Sequence, residues 1–154
     1  MLGPGCSGRA VTEAGITVSQ MLQHVVSLAK WAYDNGIRKV YTIVSDYAPG
    51  IDAENYFQKA FKAGGGEIVG SARTPQQETN FAVYMERALQ AKPDAVYMFQ
   101  PGGSPSISFV KAYVERGLKQ AGIRIIATGD LTDDGVLNAD PLTFHSDMAF
   151  CHTP

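Results

Sequence analysis

Between Val18 and Asn35, the apolar residues Met21, Leu22, Val25, Val26, Leu28, Ala29, Ala32 and Tyr33 recur at three- and four-residue spacing. That spacing lines one face of a helix. Asn35-Gly36 ends it, because both residue types accept the left-handed backbone at a helix C-terminus. The pattern then changes to Lys39-Val-Tyr-Thr-Ile-Val44, a β-branched and aromatic run that predicts a strand buried on both faces. The same unit recurs, with a helix over Ile51 to Ala63, glycines 64 to 66 and a strand over Glu67 to Ala72. A polar loop, Arg73 to Thr79, leads into a helix over Phe81 to Ala91, which Lys92-Pro93-Asp94 stops. Ala95 to Phe99 is the third strand, Gln100 to Ser104 its exit loop, Pro105 to Gln120 a helix, and Ile123 to Ala127 the fourth strand. Beyond Ala127 the periodicity fades into loop over Thr128 to Leu137, with a last strand expected over Asp147 to Cys151.

Taking Val40, Ile68, Val96 and Ile125 as equivalent points, the strands recur after 28, 28 and 29 residues. That length accommodates one strand, one helix and two short loops. Strands joined by helical crossovers run parallel, so the fold class is α/β with a Rossmann-like, doubly wound parallel sheet. At 154 residues the chain has the size of one domain. Its 45% hydrophobic and 18% charged residues match a folded globular protein. A formal net charge of -2 gives no electrostatic reason to expect nucleic acid or an anionic membrane as partner. Residues 1 to 16 contain no apolar run of signal-peptide length and read as a leader or tag-like segment, leaving 17 to 154 as the ligand-binding domain.

In open parallel sheets, ligands bind at the carboxyl ends of the strands. The loops Ser45 to Gly50, Arg73 to Thr79, Gln100 to Ser104 and Thr128 to Asp133 are therefore the candidate site. Within them Tyr47 and Phe99 offer apolar wall, Gln100 and Asp130 polar anchors, and the glycines close backbone approach. Turn chemistry alone selects many of the same residue types. Nothing among these residues points to catalysis or to a cofactor. There is no GxxxxGK[ST], no GxGxxG after the first strand and no GxSxG elbow, and Gly64-Gly65-Gly66 follows a helix, the wrong end for phosphate. His145, Asp147, Cys151 and His152 cluster in sequence but match no metal-ligand spacing. No cofactor, metal or enzymatic activity is expected.

With this order established, several stretches resemble a family. Thr17-Val-Ser-Gln20, the run Lys39 to Asp52, Phe57 to Gly70, Thr79-Asn-Phe81, Lys92 to Val96 and Phe109 to Gly117 keep the order and spacing of the second lobe of type I periplasmic binding proteins, within the branched-chain amino-acid receptor family of ABC transporters. The likeness covers about Thr17 to Gly135. Departures are Asn80 where many members carry Asp, and Pro49 where an aromatic is common.

The resemblance implies a periplasmic or extracellular solute-binding component that traps an amino acid or related small carboxylate between two lobes and delivers it to an ABC permease. It places ligand contacts on Tyr47, Pro49 and Gly50, on Phe99, Gln100, Gly102, Gly103 and Ser104, and on Gly129, Asp130 and Leu131, with Asp130 accepting from a ligand ammonium. The first lobe of the same receptor would be the partner, and a lobe without it is expected to self-associate through its exposed apolar surface. Alternatives on the same fold are the sensing core of a transcription regulator or receptor, and a small Rossmann-type enzyme.

Overall fold

The computed structural model describes residues 18–101, 103–128 and 148–151. Helix α1 (Val18–Asp34) precedes strand β1 (Lys39–Ser45). Then follow α2 (Ala48–Ala63), β2 (Glu67–Thr74), α3 (Ala82–Ala91), β3 (Ala95–Phe99), α4 (Ser104–Glu115), β4 (Arg124–Thr128) and β5 (Met148–Cys151). Every neighbouring pair of strands is parallel, in the order β2-β1-β3-β4-β5. The strand expected over 147–151 is β5, paired with β4 from Ile125 opposite Met148 to Thr128 opposite Cys151.

The sheet is covered on both faces because the chain winds both ways from β1. Val40, Val44, Tyr97 and Phe99 join α1 and α2 residues Leu28, Phe57 and Phe61 in one core. Tyr41, Ile43, Val96 and Met98 join Phe81, Met85, Phe109 and Tyr113 of the α3 and α4 side in a second. Alternation along a strand sends successive side chains to opposite faces, so a continuous apolar run is what two cores require. Each large side chain buried here contributes roughly 1.5–3 kcal/mol.

Three boundaries differ from the sequence expectation by more than one residue. Helix α2 begins at Ala48 and not at Ile51, since Pro49 in its first turn has a helix-ready φ and needs no hydrogen-bond acceptor. Strand β2 continues through Arg73 and Thr74, which pair with Val44 and Ser45. Those two polar residues suggested a loop, but β2 is an edge strand and their side chains meet polar partners on the two faces. Helix α4 stops at Glu115, short of Gln120, and the chain turns through Gly117 and Gly122, both at positive φ.

Candidate functional site

The strand order turns back at β1. From it the chain runs first to β2 on one side and then across to β3 on the other. The crevice of an open α/β sheet opens at such a switch point, between the loops that leave the two neighbouring strands in opposite directions. Here those loops follow Ser45 and Phe99, the ends of β1 and β3.

Tyr47 is the residue before α2, and its ring lies 6.2 Å from the Phe99 ring at an interplanar angle of 38°. The two aromatic residues are thus brought together across the switch point, Phe99 buried and Tyr47 half-buried. Pro49 is exposed in the first turn of α2. Gly50 is buried, and a Cβ there would lie 2.2 Å from the carbonyl oxygen of Ser45. The close approach that Gly50 permits is therefore to the chain's own backbone, which lets α2 start directly over the end of β1. Across the crevice, Gly103 and Ser104 are exposed at the start of α4, and Gly103 has φ 88, a conformation that favours glycine. Neither α2 nor α4 has a side-chain hydrogen bond capping its N-terminus. Gly102, Gly129, Asp130 and Leu131 lie outside the described residues, as do His145, Asp147 and His152.

Gln100 carries more than the sequence suggested. Its Oε1 accepts from Ser45 Oγ at 2.5 Å, and its amide and Thr74 Oγ1 lie within hydrogen-bonding distance, Nε2 donating at 3.1 Å. All three side chains are buried. They come from the carboxyl ends of β1, β2 and β3, so one small polar network ties the three strand ends on the α3 and α4 side. Ser106 Oγ donates to the Pro101 carbonyl at 2.9 Å and fixes the exit of the same loop.

On the opposite face, Glu54 of α2 is buried and accepts from Thr42 Oγ1 at 2.9 Å, from Gln58 Nε2 at 3.2 Å and from Arg73 Nε at 3.1 Å. Beside it Phe57 stacks on Tyr97, with ring centroids 4.0 Å apart. The Tyr97 hydroxyl is buried without a hydrogen-bond partner. Burial, reinforced by the nearby Glu54 charge, pushes its phenol far above the ordinary range. Sequence reading named Gln100 but not its partners Ser45 and Thr74, and it missed the Glu54 cluster. Their signal was Thr42 and Ser45 within the otherwise apolar β1, with Glu54 on the inward stripe of α2.

A shallow groove of about 320 Å³ is lined by Glu78, Asn80, Val83, Tyr84 and Arg87. None of these is a residue of the switch-point crevice. Among the described residues no group of three or more His, Cys, Asp or Glu is placed to hold a metal ion, and no helix is long and apolar enough to cross a membrane.

A parallel sheet in this order, with an aromatic pair at its switch point, narrows the kinship, and a periplasmic binding protein family matches residues 11–145. The chain belongs to the periplasmic binding protein family. Within that family, it is 44% identical over 112 residues to Leu/Ile/Val-binding protein homolog 6 of Brucella melitensis, a match covering 73% of this chain and 29% of the relative. A solute-binding protein of an ABC transporter from R. palustris, crystallised in complex with 4-hydroxybenzoate, shares 45% identity with a TM-score of 0.70, over 72% of this chain and 30% of that one. A second, from Rhodopseudomonas palustris BisB5 in complex with 3,4-dihydroxy benzoic acid, shares 44% identity with a TM-score of 0.72, over 77% and 32%. The chain thus spans about a third of the length of these relatives and has the type I periplasmic-binding fold.

Proposed function

We propose that this chain is the second, ligand-gripping lobe of the solute-binding component of an ABC transporter, and that its ligand is a small carboxylate with an aromatic ring. The observation that carries this reading is the Tyr47 and Phe99 ring pair at the switch point. Flat aromatic surface suits a benzoate ring, through offset or edge contacts worth about 0.5–1.5 kcal/mol beyond simple burial. Helix α2 starts directly after Tyr47 and α4 starts in the loop that leaves Phe99, and helix N-termini favour a carboxylate. The benzoates named with the two R. palustris relatives support the same class. Binding without catalysis, a periplasmic site of action, a first lobe closing over the ligand, a permease as receiver and self-association of the isolated lobe belong to this proposal.

The name of the Brucella relative favours a second reading, an aliphatic amino acid whose ammonium is held by Asp130. The two readings separate by calorimetry on a two-lobed receptor carrying this lobe, titrated with 4-hydroxybenzoate, benzoate and leucine. On the aromatic reading the benzoates bind and leucine does not, and Tyr47→Ala weakens binding about tenfold, as expected for a loss of roughly 1.4 kcal/mol. On the amino-acid reading leucine binds, and Asp130→Ala weakens it about tenfold to a hundredfold through loss of a charged hydrogen bond. Tight leucine binding that ignores Tyr47→Ala would sink the aromatic reading.

A further inference from the structure

We propose that Asn35 is a site of spontaneous deamidation, an ageing lesion placed in the turn between α1 and β1. Four asparagines occur in the sequence, followed by Gly36, Tyr56, Phe81 and Ala139. Asn35 alone precedes a residue with no side chain to obstruct attack on its own amide. Both Asn35 and Gly36 are exposed, and a Cβ at Gly36 would meet nothing within 4 Å, so the space beside Gly36 is open.

The reaction is intramolecular. The backbone nitrogen of Gly36 attacks Asn35 Cγ and gives up its proton, the Cγ–Nδ2 bond breaks, and ammonia leaves. A five-membered succinimide remains. Water then adds to either ring carbonyl, and the ring opens to aspartate or to isoaspartate. Carbon and nitrogen keep their oxidation states, and water is the sole co-reactant.

The turn holds both reacting groups. Gly36 N donates to the Tyr33 carbonyl at 3.1 Å, Ile37 N to the Ala32 carbonyl at 3.0 Å, and Asn35 Nδ2 to the Trp31 carbonyl at 2.8 Å. The first two form the paired closure of a helix that ends on a left-handed glycine, here at φ 85. Attack therefore waits on local opening of this turn, and exposed helix ends open at a small fraction of the global unfolding cost. Once formed, the product does not close again in the same way. A carboxylate cannot donate to the Trp31 carbonyl, it places negative charge at the negative end of the α1 dipole, and isoaspartate adds a methylene to the backbone. Tyr33, which packs edge-on against Phe61 of α2 at 6.4 Å, lies within the altered turn. The lesion loosens α1 from α2.

The test is peptide mapping by mass spectrometry of the intact folded chain incubated at mildly alkaline pH. The expected result is the mass gain of amide to acid, with isoaspartate, at Asn35 before any at Asn55 or Asn80. The aged fraction should melt at a lower temperature than fresh protein, and Asn35→Gln should remove that drift. Mapping of the unaltered chain decides the matter even if the variant folds poorly. Conversion at Asn80 ahead of Asn35 would overturn the proposal. So would conversion of Asn35 in a urea-unfolded sample with none in the folded one, since the turn would then be protecting its asparagine.

Discussion

Glu54 Oε2 lies 3.1 Å from Arg73 Nε, a carboxylate buried beneath α2 reached by a guanidinium whose side chain is 46% exposed. The two ends of this pair are unequal. Removing the arginine lets the carboxylate keep its bonds from Thr42 and Gln58, whereas removing the glutamate takes the acceptor from Thr42 and Arg73 and leaves Gln58 only its bond to Thr42 Oγ1. Arg73→Ala is expected to cost about 1 kcal/mol, in keeping with a pair half open to solvent. Glu54→Ala is expected to cost roughly 2–4 kcal/mol, from a cavity and from the buried Thr42 hydroxyl left without its acceptor. Urea denaturation of both variants checks the order, and equal losses would contradict it.

Tyr97→Phe removes a hydroxyl that has no partner. The stacking on Phe57 remains, so stability at neutral pH is expected to stay level or to rise by about 1 kcal/mol. The pH dependence has a definite sign. A phenol whose folded pKa lies above its unfolded value of about 10 binds its proton more tightly in the folded state. Its contribution is fully present below about pH 10 and declines as the unfolded chain ionises above that pH. Tyr41, also raised by burial and partly offset by Arg87, adds a smaller loss of the same sign. Alkaline titration of the melting temperature should therefore fall less steeply for Tyr97→Phe than for the parent.

Gly50→Ala would set a methyl 2.2 Å from the Ser45 carbonyl oxygen, a distance no backbone tolerates without moving. The first turn of α2 must lift off the end of β1, at a cost of about 1–3 kcal/mol. Because Tyr47 precedes that turn, its contact with Phe99 should loosen as well. Thermal melting gives the first effect, and the near-ultraviolet circular dichroism of the aromatic residues gives the second.

Gln100→Leu keeps much of the volume and none of the hydrogen bonds. Ser45 and Thr74, both buried, lose their partner in the same step. A loss of about 2–3 kcal/mol is expected, with Gln100→Glu intermediate or worse at neutral pH because a buried charge replaces an amide. Should Gln100→Leu melt with the parent, the network contributes nothing to holding the strand ends.

The layers of this fold were legible because β1 and β3 are short, largely apolar runs and the first four strands are each separated by one helix, a repeat that implies a parallel, two-faced sheet. Tyr47 and Phe99 could be singled out from their places after β1 and at the end of β3. Their mutual contact could not, because it depends on β1 and β3 becoming neighbours with β2 on the far side. The same dependence hid Glu54 with Arg73, and Ser45 with Thr74 and Gln100. In each group polar residues from separate crossovers meet only after the register is set. Arg73 and Thr74 looked like loop for the same reason, since their polarity reflects partners that local sequence does not reveal.

Strand β1 sits between β2 and β3, so one side of it pairs with the segment that follows at once and the other with a segment a further crossover away. During folding the β1 and β2 hydrogen bonds can close over a loop of one helix, while the β1 and β3 ladder must wait for the longer closure. Until then Val44 has Arg73 on one flank and open solvent on the other, an apolar ribbon with an unsatisfied edge. The Tyr47 and Phe99 rings can meet only after that second ladder has closed, so their contact reports the docking of β3 on β1 and not the earlier closure of β2.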